Sequence, residues 1–509
     1  CYIFRWCMCI SWHMLPFTRD KTVILLPRMS SFTPLKILSF LAVSFILLGL
    51  LSWIFPEDGI AVGDHVKIKF PTLTDIFSEA EPEADIATIV DMEVAAPEED
   101  TIVVQEEKID YSKVHGALPL DSGITITEYI TMQQTGALDN FFYALRNSAA
   151  EGNSVRIMHY GDSQIEVDRI TGYIRSRLQS HFGGSGVGLL NIMPVAEGMA
   201  FNTTYSSNWE RYTAFTRKDK RVLHKAYGPM IAFSRYAPVV DTNSELGGQQ
   251  EAWLKFINTK RAGARASNFT KLYLLYGNSM SPVAINVWAD GVQVAADTLA
   301  TDGYLHTYTV QLPQAPVEVQ YNFKGKDSPD IYGVSFEGAT GVIMDNIPLR
   351  GSSGDFFTGM QSGQLKSFYQ QAGVDLFLLQ FGGNTIPYLK DSLHAQSYAR
   401  SIGAQIRHLK NMRPEADIIF IGPSDMSIKD GANYVTHPLI EPLNNALRKE
   451  VEAAGAAYYD MYAAMGGRNS MVAWVNAGLA GADYTHFSPE GARKIAVLFY
   501  QALIIVFDN

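Results

Sequence analysis

The sequence predicts an α/β fold interrupted by an all-β module. After residue 336, near-continuous apolar runs ("GVIMDNIP", "VDLFLLQFGGN", "ADIIFIGPSD") each precede a stretch with helical spacing. Strands apolar at every position are buried on both faces, which is the mark of a parallel sheet with helices packed on it. Between 199 and 335 the rhythm shortens to alternating runs such as "KLYLLYG", "PVAINVWADG" and "VEVQYNFKG". Asp290-Gly291 between two such runs is a hairpin signal, so this segment reads as an antiparallel β-sandwich. The βα rhythm on either side makes residues 116–198 and 336–509 two halves of one α/β domain.

The elements follow in chain order. The sequence starts with Cys1, and Met29 is the expected true start, which makes residues 1–28 an upstream leader. Ile37 to Phe55 carries no charge and is long enough to cross a bilayer. Arg28 and Lys36 precede it, and Glu57 and Asp58 follow. Residues 29–58 therefore read as an uncleaved single-pass anchor with the chain beyond it outside the cytoplasm, expected at a cell inner membrane facing the periplasm.

Residues 59–115 read as an acidic, disordered linker. Within it, positions 71–110 hold 13 Asp or Glu and one Lys, a net of −12 against −11 for the whole chain. The remainder is close to neutral, so nothing favours a nucleic-acid partner. The three cysteines are Cys1, Cys7 and Cys9, which removes disulfides, thiolate catalysis and Cys-based zinc sites from the body of the protein.

Leu138, Phe141, Phe142 and Leu145 mark a helix that Gly152 stops. "SVRIMHYGDS" is a buried strand running into a turn, and a helix is expected from near Ile165 to Gly183-Gly184. From residue 336 onward, strands and helices alternate up to a final helix, "PEGARKIAVLFYQALIIVFD".

In an open parallel sheet, functional residues collect at the carboxyl ends of strands. Four such points carry polar residues or glycine: Gly161-Asp162-Ser163, "LRGSSG", "FGGN" and "DYTH" before the last helix. Singly, each has a plain structural reading. Ser163 fits a helix N-cap, Asn384 and the glycines fit turns, and Asp483 with His486 fits a capping pair. Together they supply a hydroxyl nucleophile (Ser163), a base (His486) and a carboxylate to orient it (Asp483). The amide of Asn384 and the backbone N–H groups of Gly351 and Ser163 suit an oxyanion hole.

"GDSQ", a glycine of "LRGSSG", "GGN" and "DYTHFSPEG" resemble the four blocks of the SGNH (GDSL-like) hydrolases. The resemblance implies a flavodoxin-like three-layer α/β/α sandwich, Ser163 as nucleophile, His486 as base, Asp483 as its orienter, and no metal or other cofactor. Gln164, Thr385 and Phe487 stand where the family more often has Leu, an acid and Pro. A β module following the serine block in an exported chain resembles the peptidoglycan O-acetylesterases. That implies removal of O-acetyl groups from a cell-envelope glycan through acetyl-Ser163, with acetylated polysaccharide as partner. A glycan O-acetyltransferase and a non-catalytic glycan-binding scaffold remain the alternatives. Trp209, Tyr212, Trp253, Tyr273, Trp288 and Tyr304 are aromatic residues of the module that could stack on sugars, or could be its core.

Overall fold

The computed structural model describes residues 34–56, 60–61, 67–68, 70, 72, 83–92, 130–131, 136–239 and 246–508. The expected leader, most of the acidic linker and residues 116–129 lie outside that set. The chain divides into two compact units, residues 1–78 and 79–509.

The first unit holds helix α1, Pro34–Ile54. Its mean hydropathy of 2.5 makes it the one helix, among the described residues, long and apolar enough to cross a membrane. Twenty-one residues at 1.5 Å each give about 30 Å, the thickness of a bilayer core.

The second unit is a mixed α/β structure. Its main sheet comprises β1 (Ile130–Thr131), β2 (Ser154–Gly161), β3 (Gly341–Pro348), β4 (Val374–Gln380), β5 (Asp417–Ile421) and β6 (Ala457–Tyr459). The order across the sheet is β3-β2-β4-β5-β6-β1. β2 to β6 are parallel, and short β1 adds an antiparallel edge. After β2 the chain places β3 on one side and β4 on the other. That reversal opens a crevice at the carboxyl ends of the strands.

The strands are largely apolar because both faces are covered, with Arg156, His159 and Asp345 as buried polar exceptions. Val155, Ile157, Leu376, Leu378, Ile419 and Tyr459 pack with Phe141, Leu178 and Ile495. These partners come from α2 (Asp139–Glu151), α3 (Thr171–Phe182) and the long last helix, Pro489–Asp508. The alternating residues Met158, Tyr160, Phe377, Leu379 and Phe420 meet Leu365, Ile406 and Leu447 on the other face. Those belong to α4 (Ser362–Gln371), α5 (Ser392–Met412) and α6 (Ile440–Ala453), so the last helix is α7. Gly152 closes α2 in the left-handed region at φ 65°, as its position predicts.

Between β2 and β3 in sequence, strands within 186–337 form two antiparallel sheets with their own apolar core. Gly186–Leu190, expected in the α/β half, pairs with Asp330–Glu337 in one of them. Trp209 and Tyr212 are buried, Trp209 against Tyr236 and Phe323, so neither offers a face to sugar. Trp253 and Tyr304 are exposed.

Two local expectations change. The helix after Ser163 begins at Thr171, because Val167 and Asp168 both adopt positive φ (62° and 64°) and break it. Within the acidic stretch, Glu83–Met92 is ordered: Ile86 and Ile89 enter the core, and buried Lys494 donates to the carbonyls of Val90 and Met92. Charge composition hid two isoleucines at helical spacing.

Candidate active site

Three strand ends and the loop before α7 build the site. β2 ends at Gly161, and Asp162 accepts from the backbone N–H of Gln164 at 2.9 Å, capping a 3₁₀ turn that opens with Ser163. This turn, not the end of an α-helix, presents the serine. The α-helix expected from near Ile165 therefore starts only at Thr171.

Ser163 Oγ lies 3.1 Å from His486 Nε2. His486 Nδ1 lies 2.8 Å from Asp483 Oδ2. With Nδ1–H donating to the carboxylate, Nε2 keeps its lone pair for the serine proton. The other Asp483 oxygen accepts from the backbone N–H groups of Thr485 and His486, each at 3.1 Å. Partial burial pushes the Asp483 carboxyl up, but those N–H groups and the imidazole outweigh it and hold it below the usual range. It stays ionised where an orienting carboxylate must.

Asn384 follows β4 and its side-chain amide donates to Asp162 Oδ2 and to the Ser352 carbonyl, both at 3.1 Å. The amide thus lines the same cleft as Ser163 with both hydrogens engaged. Gly351 lies on an exposed turn at φ 77° and does not line the Ser163 cleft. The block after β3 reaches the site through Ser352 instead. Gly354, at φ 81°, packs where a Cβ would come 2.6 Å from the Phe381 ring, so that turn requires glycine.

The cleft has a volume of about 740 Å³ including its solvent-open part, and is lined by Asp162, Ser163, Asn384, Tyr388 and His486 among others. Tyr388 is 81% exposed at its rim.

Sequence reasoning passed over three contributors. Asp162 holds both the turn and Asn384, and burial pushes its carboxyl up to about 6. Gln164 sends its side-chain N–H to the Thr485 carbonyl at 2.9 Å, tying the serine loop to the histidine loop. Tyr484, at φ 53°, stacks on Tyr434 with ring centroids 3.8 Å apart. Polar turn letters in "GDSQ" signalled the first two. Tyr434 sits on a hairpin (Ser427–Asp430 with Asn433–Thr436) that no periodicity announced.

The imidazole of His159, near the serine in sequence, is buried beside Thr171, and burial pushes it down to about 3. It does not line the cleft. Among the described residues no three His, Cys, Asp or Glu side chains converge to hold a metal ion.

No family model matches the sequence, and no curated protein matches it. Among solved structures, a peptidoglycan O-acetylesterase matches with a TM-score of 0.57 at 19% identity, covering 74% of this chain and 99% of that one. The two chains share a fold. An acetylxylan esterase from Geobacillus stearothermophilus matches at 15% identity with a TM-score of 0.24, over 32% of this chain and 73% of that one. A GDSL-like lipase from Bacteroides ovatus matches at 11% identity with a TM-score of 0.25, over 60% of this chain and 98% of that one. At such scores these two add nothing to the argument. The fold shared with the O-acetylesterase agrees with the resemblance of the four sequence blocks to SGNH hydrolases.

Proposed function

We propose that this chain is a serine esterase that removes O-acetyl groups from a cell-envelope glycan, with peptidoglycan as the substrate. The observation that carries the proposal is the unbroken relay from Ser163 through His486 to Asp483, at 3.1 and 2.8 Å. His486 Nε2 takes the Ser163 proton as Oγ attacks the acetyl carbonyl. The tetrahedral oxyanion is met by the Ser163 N–H and the Asn384 amide, which gives up one of its present acceptors. The Gly351 N–H, the third donor expected from the sequence, would have to move in with its turn. His486 then protonates the sugar oxygen as the C–O bond breaks, leaving acetyl-Ser163 and a free sugar hydroxyl. Water, deprotonated by the same imidazole, attacks the acetyl group and releases acetate.

The fold reading that accompanies this is a flavodoxin-like three-layer sandwich carrying an inserted β module. Alternating strand residues packed against two separate helix sets support it. Helix α1 serves as a single-pass anchor that holds the esterase outside the cytoplasm, at an inner membrane facing the periplasm. The test is acetate release from purified O-acetylated peptidoglycan compared with acetylated xylan. Faster release from peptidoglycan is expected. Preference for xylan would reject the peptidoglycan assignment, and release from neither would reject the esterase.

A further inference from the structure

A second cavity, about 800 Å³ including its open part, lies behind the nucleophile loop. One wall is Glu166, Val167 and Asp168; the other comes from the antiparallel sheets and includes Met199, Phe201 and Arg211. The first wall is fastened to the catalytic serine. Arg169 donates through Nη2 to the Ser163 carbonyl and through Nε to the Glu166 carbonyl, both at 3.1 Å. Val167 and Asp168 hold positive φ here, a conformation that a β-branched residue rarely adopts and that tends to persist at ligand sites.

Three charged residues line the cavity, and two are already compensated. Glu166 is bound through both oxygens by Arg350, and Asp168 is ion-paired with buried Arg175. Arg211 makes no side-chain hydrogen bond or close ion pair among the described residues, and its buried Nε lacks a partner. The residue is half-buried, and its buried donor, Nε, is costly to leave unfilled unless water or a ligand reaches it. Burial pushes the guanidinium downward, with only the field of Glu166 opposing. Apolar side chains such as Leu190, Pro194 and Met230 make up most of the remaining lining.

We propose that this cavity binds a carboxylate of the acetylated glycan, with Arg211 as its partner. The inference rests on the esterase reading and adds to its cleft a separate subsite that selects acidic sugars. A planar guanidinium pairs with a carboxylate through two parallel N–H donors. The carboxylate could come from a lactyl ether, as on muramic acid without its peptide, or from the ring of a uronic acid.

The test is calorimetric titration of the full chain carrying Ser163→Ala with unacetylated muramic acid, with a galacturonic acid oligomer, and with each as its carboxamide. Binding of at least one acid about tenfold tighter than its amide is expected. Whichever acid shows the preference identifies the source. Adding Arg211→Gln should erase that preference, and Arg211→Lys should keep part of it. Equal affinity for acid and amide, no binding of either acid, or a preference that survives Arg211→Gln would each overturn the proposal. Should Arg211→Gln fail to fold, the acid–amide comparison on the Arg211 protein still decides. No ester is cleaved in this experiment. Failure of the esterase reading would appear separately, as absent acetate release by the wild-type chain.

Discussion

Asp162 receives a hydrogen bond from the amide of Asn384 at 3.1 Å, one position before Ser163 in the chain. The pair joins the ends of β2 and β4, and its carboxyl is the titratable group most enclosed by the site. Burial pushes it up to about 6 from an ordinary 3.8, against the pull of the Gln164 N–H and His486.

That shift has a sign for stability. The folded chain holds the Asp162 proton more tightly than the unfolded chain, so stability is greatest below pH 4 for this group and falls as pH rises to 6. Asp375 and Asp417, also pushed up to about 6 by burial, act in the same direction. Asp162→Asn should remove one share of the decline, about 3 kcal/mol. Melting temperatures at pH 4, 5 and 6 check this; parallel curves for variant and wild type would refute it.

Asn384→Ala should lower kcat roughly 10²–10³-fold with little change in KM, the signature of a lost oxyanion donor. Steady-state kinetics on a small acetyl ester measure it. A loss confined to KM would move Asn384 from the oxyanion to ground-state binding.

Gln164→Leu restores the residue more usual in the SGNH pattern but cuts the bond to the Thr485 carbonyl. The histidine loop then loses its tie to the serine loop. A kcat drop of about tenfold is expected, matching the roughly 1–1.5 kcal/mol worth of such a hydrogen bond. An unchanged kcat would show that the loops hold their register without it.

Tyr484 sits between Asp483 and His486 in a left-handed conformation, which for a non-glycine residue costs about 1 kcal/mol or more. Its stack on Tyr434 offsets that. Tyr434→Ala should lower kcat, and Tyr434→Phe, which keeps the ring, should restore it. Equal kinetics for both variants would remove the stack from the positioning of His486.

Most of the α/β framework was legible in the sequence because burial on both faces writes itself as apolar runs, as in "VDLFLLQ" and "ADIIFI". Ser163, Asp483 and His486 stood out for another reason: a polar residue set at strand ends suits a nucleophile, base and orienter, and the fold brings the three within hydrogen-bond reach. Gly351 lies outside the cleft lining because its position depends on where its turn points, which no local pattern records. The break at Val167-Asp168 was hidden too. Neither residue carries a local signal for positive φ; in the fold Asp168 is ion-paired with Arg175 and both residues line the second cavity. Ile86 and Ile89 were obscured by the acids around them.

The central claim is that Ser163 carries the acetyl group. Intact-protein mass spectrometry after rapid mixing with an acetyl ester, followed by peptide mapping, tests it directly. A single acetyl adduct on Ser163 that disappears in Ser163→Ala together with acetate release is the expected result. Acetate release by Ser163→Ala at the wild-type rate, or an adduct on another side chain, would contradict it.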